Sequence, residues 1–149
     1  MSDYDLINHP RTYMYFEQPV LYPFGHGLSY TQFEYTNLIL NSDKINKSGE
    51  VELQFTVQNT GQLKGDEVAQ VYVHSIDAAI KVPINQLKRL QRITLSPGES
   101  KTLTFEIPAS EFSFYDTKTN DFKIELGRWE IQVGSSSKDI RLKESFTIE

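Results

Sequence analysis

The chain contains no cysteine, so neither a disulfide nor a thiolate metal site can be built from it. Histidine is scarce. His9, His26 and His74 stand one to a segment, and none has a second at the close spacing of an HExxH pair, so each reads as an isolated polar side chain. Positive charge is in deficit: 15 Lys and Arg against 20 Asp and Glu leave a net charge of −5, which argues against a nucleic-acid partner. No apolar run nears the roughly 20 residues that cross a bilayer, and the opening MSDYDLINHP lacks the basic-then-apolar order of a signal peptide. Long amphipathic helices, internal repeats and low-complexity stretches are missing too.

Catalytic patterns are equally sparse. There is no GxSxG elbow, and Gly25-His26-Gly27 is not a phosphate-binding GxGxxG. Asp116 to Asp121 resembles a calcium loop only in its acids. Lys118 takes a ligand position and the turn glycine is absent, so a hairpin turn is expected there. The triplet Asn46-Lys47-Ser48 is a glycosylation sequon of a kind that arises by chance. The carboxylates alternate along strand-like segments or sit in turns, which predicts a solvated surface instead of a facing catalytic pair. No catalytic residue, no metal ligand and no cofactor site is expected from these residues.

What the chain has is alternation. Val51, Leu53, Phe55 and Val57 are spaced by polar residues, which marks a strand with one wet face. Ala69-Val71-Val73, Leu103-Phe105-Ile107 and Trp129-Ile131-Val133 repeat the pattern, as do Ile140, Leu142, Phe146 and Ile148 with Glu144 breaking the phase. Weaker candidates are Phe33–Leu40, Leu87–Leu95, Glu111–Tyr115 and Asp121–Glu125, with a single helical turn expected around Pro108 to Glu111. Asn59-Thr60-Gly61, Lys64-Gly65-Asp66, Ser96-Pro97-Gly98 and Gly134-Ser135 punctuate the strands. The expected fold is an all-β, antiparallel sandwich of the immunoglobulin or fibronectin type III-like kind, spanning residues 33–149.

Residues 1–32 form a different kind of segment. Leu21 to Phe33 packs four aromatics, Tyr22, Phe24, Tyr30 and Phe33, around one proline and two glycines, the makings of a rigid apolar arm with fixed bends. Such an arm must dock on something, so the chain reads as the end of a larger protein. On the sandwich, Trp129 falls on the apolar face and is expected in the core. Tyr72 shares its strand face with Gln70 and His74, so it is expected to be exposed and is the candidate for a glycan contact.

Read in order, several motifs resemble one family. They are Arg11 to Phe16, Leu21-Tyr22-Pro23-Phe24-Gly25-His26-Gly27-Leu28-Ser29-Tyr30, Asn59-Thr60-Gly61, Gly65-Asp66-Glu67-Val68-Ala69-Gln70-Val71-Tyr72-Val73, Leu95 to Ser100, Phe114-Tyr115-Asp116 and Val133-Gly134-Ser135-Ser136-Ser137. Together they look like the last linker and the C-terminal fibronectin type III-like domain of glycoside hydrolase family three. His26 departs from the family's usual Tyr, and Asn8-His9-Pro10 precede Arg11 where a Gly is common.

The resemblance implies a parent with an N-terminal barrel carrying a nucleophilic aspartate and a second α/β domain supplying the acid/base. That parent would be a retaining hydrolase of β-glucosides or β-xylosides. Both catalytic carboxylates would lie upstream, and Ser2-Asp3-Tyr4 would belong to the linker. This chain would then be an inactive accessory domain whose partners are the catalytic domains of the same parent chain. A β-linked oligosaccharide would be met only through the parent. Docking is expected through Tyr13, Tyr15, Phe16, Tyr22, Pro23, Phe24, Gly25, Gly27 and Tyr30; without the parent, the arm's aromatics would lie on the sandwich flank or meet a second copy. An exported parent, periplasmic or secreted, would carry its signal upstream. The competing readings are an independent carbohydrate-binding or adhesion module, and a loop from His74 to Asn85 that reaches the parent's active-site mouth.

Overall fold

The computed structural model of the protein describes residues 12–15, 19–77, 85–116 and 120–149. Strands β1 (Phe33–Leu40), β3 (Glu50–Asn59) and β6 (Ser100–Pro108) make one sheet in the order β1-β3-β6. Strands β2 (Lys44–Ile45), β4 (Gly65–Ser75), β5 (Gln86–Leu95), β9 (Gly127–Gly134) and β10 (Ile140–Ile148) make the other, in the order β2-β10-β9-β4-β5. Strands β7 (Ser113–Asp116) and β8 (Asp121–Ile124) pair as a separate hairpin. The result is an all-β, two-sheet sandwich, as the alternation predicts.

The strands form where the period-two pattern lets one sheet face be apolar throughout. Along β3, Val51, Leu53, Phe55 and Val57 are fully buried while Glu50, Glu52, Gln54 and Gln58 face water. Leu103 and Ile107 of β6, Ala69, Val71 and Val73 of β4, and Trp129, Ile131 and Val133 of β9 close the same core. Each such aliphatic or aromatic side chain contributes about 1.5–3 kcal/mol when fully buried.

One pairing does not follow from alternation. Strand β2 has two residues and runs parallel to the end of β10, through Thr147↔Lys44 and Ile148↔Ile45. A pair of residues carries no period. Ile45 is held instead by its burial in the core and by the amide of Glu149 donating to its carbonyl at 3.0 Å.

The expected helical turn is a 3-10 turn over Ala109–Phe112. It drives Phe112 into the core edge-on against Trp129 (5.0 Å) and Phe146 (5.4 Å). Trp129 is buried as expected, and its indole N–H donates to the Glu125 carbonyl at 3.0 Å. Arg89, on edge strand β5, forks onto the Glu111 carboxylate at 2.9 and 2.6 Å and donates to the Glu106 carbonyl at 3.1 Å. That arginine ties the edge of one sheet to the neighbouring sheet and its turn, covering an otherwise open strand.

Candidate docking surface

Strand β4 is buried on both faces. Ala69, Val71 and Val73 point into the sandwich, while Gln70 and Tyr72 point the other way, where the pattern predicts solvent. Both are nevertheless buried, as is Gln132, which pairs with Tyr72 across β9. The expectation of an exposed Tyr72 is therefore corrected: the ring is 0 % exposed and offers no face to a sugar. The cover is the arm itself, which lies over this face of the sheet.

The arm is fixed by a small set of polar contacts. Pro23 to His26 form a turn closed by the His26 amide on the Pro23 carbonyl at 3.0 Å, with Gly25 at φ +80. The Gln70 side-chain amide donates to the Gly25 carbonyl at 3.0 Å and to the Ser135 carbonyl at 2.6 Å. Its oxygen accepts from the Tyr72 hydroxyl at 2.6 Å. On the far side of the turn the Ser137 amide donates to the Phe24 carbonyl at 2.9 Å. Tyr13 stacks flat on Phe24 with ring centroids 3.9 Å apart, and its hydroxyl accepts from the Leu87 amide. Burial under this cover, and then the nearby Tyr13, push the Tyr72 hydroxyl well above its ordinary pKa, so it stays a neutral donor.

The trailing end of the arm is anchored by Asn59, at the close of β3. Its amide nitrogen donates to the carbonyls of Leu63 (2.8 Å) and Leu95 (2.9 Å). Its oxygen accepts from the Thr31 hydroxyl (2.8 Å) and the Gly61 amide (3.0 Å). All four hydrogen-bonding positions of a fully buried amide are thus used. Gly61 is required by space: a Cβ there would stand 2.1 Å from the Thr31 hydroxyl oxygen.

Held this way, the arm presents its other side chains outward. Leu21, Leu28 and Tyr30 are 94 %, 91 % and 98 % exposed, and Tyr22 is largely exposed beside His26. The expected docking residues therefore divide. Tyr13, Pro23 and Gly25 contribute to the clamp, Phe24 does so with part of its ring still open, and Tyr22 and Tyr30 face away from it. Tyr15 is half-buried, and burial raises its hydroxyl pKa. A Cβ on Gly27 would meet nothing. Phe16 lies outside the described residues, as do Ser2-Asp3-Tyr4, positions 78–84 of the loop from His74, and 117–119 of the hairpin turn.

Between the arm and the leading half of β4 runs a groove of about 860 Å³. Val68, Leu90 and Leu28 supply apolar wall, and Asp66, Glu67, Arg92, Asp139 and Arg141 supply charge. Arg92 pairs with Asp66, which also accepts from the Thr94 hydroxyl at 2.5 Å. Arg141 pairs with Asp139 at 2.8 Å, donates to the Phe33 carbonyl at 2.6 Å and lies over the Tyr35 ring. Hydrogen bonds from Arg141, then from Ser135, hold the Asp139 carboxyl below the usual carboxylate range. Glu67 accepts from the Tyr35 hydroxyl at 2.6 Å; burial, then that bond, hold the phenol far above its ordinary pKa and so protonated. Among the described residues, no group of three or more His, Asp or Glu is placed to hold a metal ion, and no helix is long and apolar enough to cross a membrane.

Gln70, Asn59 and Ser137 are the residues that sequence reasoning did not single out for these roles. The available signal was a buried-strand pattern interrupted by Gln70 and Tyr72, and a run of three serines just after β9.

Comparison with known proteins agrees with this architecture. Residues 67–137, a little under half of the chain, match the fibronectin type III-like domain family. The thermostable beta-glucosidase B of Acetivibrio thermocellus is 38 % identical over 86 % of this chain, which spans 17 % of that protein. A putative beta-xylosidase of Formosa agariphila is 36 % identical over 96 % of the chain, which spans 19 % of that protein. The crystal structure of the Bifidobacterium adolescentis GH3 beta-glucosidase superposes with a TM-score of 0.82 at 33 % identity, over 91 % of this chain and 20 % of that one. The chain thus spans about a fifth or less of the length of these relatives.

Proposed function

The chain carries a fibronectin type III-like domain of the kind found in family-three β-glucosidases and β-xylosidases, and from that premise we propose that it is an accessory domain that docks on, and steadies, the catalytic domains of one longer chain. The parent would hydrolyse β-glucosides or β-xylosides with retention, through carboxylates outside these residues. The observation that carries this reading is the arm. A segment clamped by Gln70 and Ser137, yet showing Leu21, Tyr22, Leu28 and Tyr30 to water, is ordered in advance for an apolar partner. Exposed rings on a fixed backbone cost little entropy to bind.

Two measurements test it. The isolated chain should fold and leave aryl β-glucosides and β-xylosides uncleaved; turnover abolished by a single substitution within it would end the proposal. In the parent, Tyr30→Ala with Leu28→Ala should open the arm to limited proteolysis and lower the thermal stability of the catalytic domains. An unchanged digestion pattern and midpoint would remove the steadying role. The independent sugar-binding reading relied on an exposed Tyr72, and the burial of that ring leaves it without a supporting observation.

A further inference from the structure

The geometry points to a second contact on the sandwich itself: the outer face of β4 and β5, around Val68 and Leu90, is covered by uncharged apolar side chains from the catalytic portion of the same longer chain. This rests on the docking reading above, which places the contact on the arm, and adds a site on the sheet and the chemistry of what meets it.

Strand parity puts these side chains outside. Ala69, Val71 and Val73 fill the core, so Val68 and Gln70 point away from it. The register sets Arg92 opposite Val68, Leu90 opposite Gln70 and Leu87 opposite Tyr72, so all three share that outer face. Val68 and Leu90 are diagonal neighbours across the ladder. The wet face of an antiparallel sheet is ordinarily polar, yet here Leu90 is 58 % and Val68 37 % exposed. Pairing of β4 with β9 stops at Gln70↔Gly134, so β9 does not flank Gly65 to Ala69, and the groove opens there. Leu28 of the arm and the open part of Phe24, which is 43 % exposed, line the same groove. Apolar surface from the arm and from the sheet thus meets in one place, as at the centre of an interface.

Charge around this wall is already matched. Asp66, on the same face, is paired with Arg92 and accepts from the Thr94 hydroxyl. Asp139 is paired with Arg141. Glu67 has the opposite parity and points to the other face of β4, where it accepts from Tyr35. Ion pairs of this kind make a polar rim that asks for no charge from the partner. A charge set against Val68 and Leu90 would lose water without gaining a counter-ion, whereas an aliphatic or aromatic side chain gains by leaving water.

Chain connectivity says where that side chain comes from. Tyr13 stacks on Phe24 and accepts from the Leu87 amide of β5 at 3.4 Å. What precedes Thr12 is therefore tethered beside the strand that carries Leu90, and meets the wall at high effective concentration. A second copy has no such tether. A glycan would find one partly open ring, Phe24, among aliphatic side chains, and the polar groups flanking Val68 are engaged with each other.

The test places a photo-crosslinker in the parent at Leu90, at Tyr30, or at Gln54, an exposed control on the outer face of the other sheet. Leu90 should capture a catalytic-portion peptide of the same chain, linked at an aliphatic or aromatic residue, and Gln54 should capture none. Linkage at a charged residue, linkage to a second copy, equal capture from Gln54, or capture suppressed by xylotriose or cellotriose would overturn the inference. Leu90→Asp should speed limited proteolysis between the catalytic portion and this domain about tenfold, the value of burying roughly one aliphatic side chain. Leu90→Phe should match the wild type. Equal rates for Leu90→Asp and the wild type would also overturn it, and the crosslinks decide the matter if the aspartate variant misfolds. Capture from Tyr30 but not from Leu90 would sink the sheet contact and leave the docking reading standing. Capture from neither position would sink both.

Discussion

The side-chain amide of Gln70 donates to the carbonyl of Gly25 at 3.0 Å, across 45 residues of sequence. The same amide reaches Ser135, and its oxygen takes the Tyr72 hydroxyl. One buried side chain thus joins the arm, the middle of β4 and the serine loop after β9. A glutamine can do this because it has both donors and acceptors on a planar end. An aliphatic residue at position 70 would leave the Gly25 and Ser135 carbonyls without that donor.

Gly25→Ala should detach the arm. The φ of +80 is unfavourable for a residue with a Cβ, and that Cβ would stand 2.1 Å from the Gln70 side-chain oxygen. We expect a loss of about 1–3 kcal/mol in urea unfolding. Hydrogen exchange should accelerate at the Ser137 and His26 amides while the β3 ladder keeps its protection. Uniform acceleration over both regions would mean that the arm and the sandwich unfold as one.

Tyr72→Phe removes only the hydroxyl that orients Gln70. A cost of about 1–2 kcal/mol is expected, with the packing of the ring retained. Retention on insoluble xylan or cellulose should be the same for the variant and the wild-type chain. A selective loss of retention would restore Tyr72 as a glycan contact.

Asn59→Ala should be among the most damaging single changes. It strips partners from two carbonyls, one hydroxyl and one amide at a fully buried point. The expected loss is about 2–4 kcal/mol. Asn59→Asp should not rescue it, since a carboxylate cannot donate to Leu63 and Leu95. Thermal unfolding of the three proteins decides the point, and a near-native midpoint for the aspartate variant would contradict it.

Acid stability should depend on Glu111. Hydrogen bonds from Arg89 hold its folded pKa below the usual value. Its contribution is therefore fully present above the unfolded carboxylate pKa of roughly 4.3 and is lost as pH falls through the lower folded value. Asp139, held down by Arg141 and Ser135, acts with the same sign. Urea midpoints from pH 7 to pH 2.5 should fall less steeply for Glu111→Gln, which starts from a lower plateau. Parallel acid limbs for the variant and the wild type would show that the pair does not govern this transition.

Much of the architecture was legible from alternation because burial of a strand has a period of two. Val51 to Val57 and Trp129 to Val133 announced their faces, and Trp129 entered the core as its parity required. Strand β2 was not legible, since two residues hold no pattern and its place depends on β10. Tyr72 was misplaced for a related reason. Parity assigns a side chain to one face of a sheet and says nothing about what covers that face.

The chain's composition and spacing alone settled that this is a β sandwich free of cysteine chemistry and preceded by an aromatic, turn-rich arm. Those are properties of near neighbours, and local patterning encodes them. Which half of the arm turns inward, and that Gln70 and Asn59 hold it, both depend on residues brought together from far along the chain. Folding created those meetings, because each needs the two sheets, the serine loop and the arm in place before its distances exist.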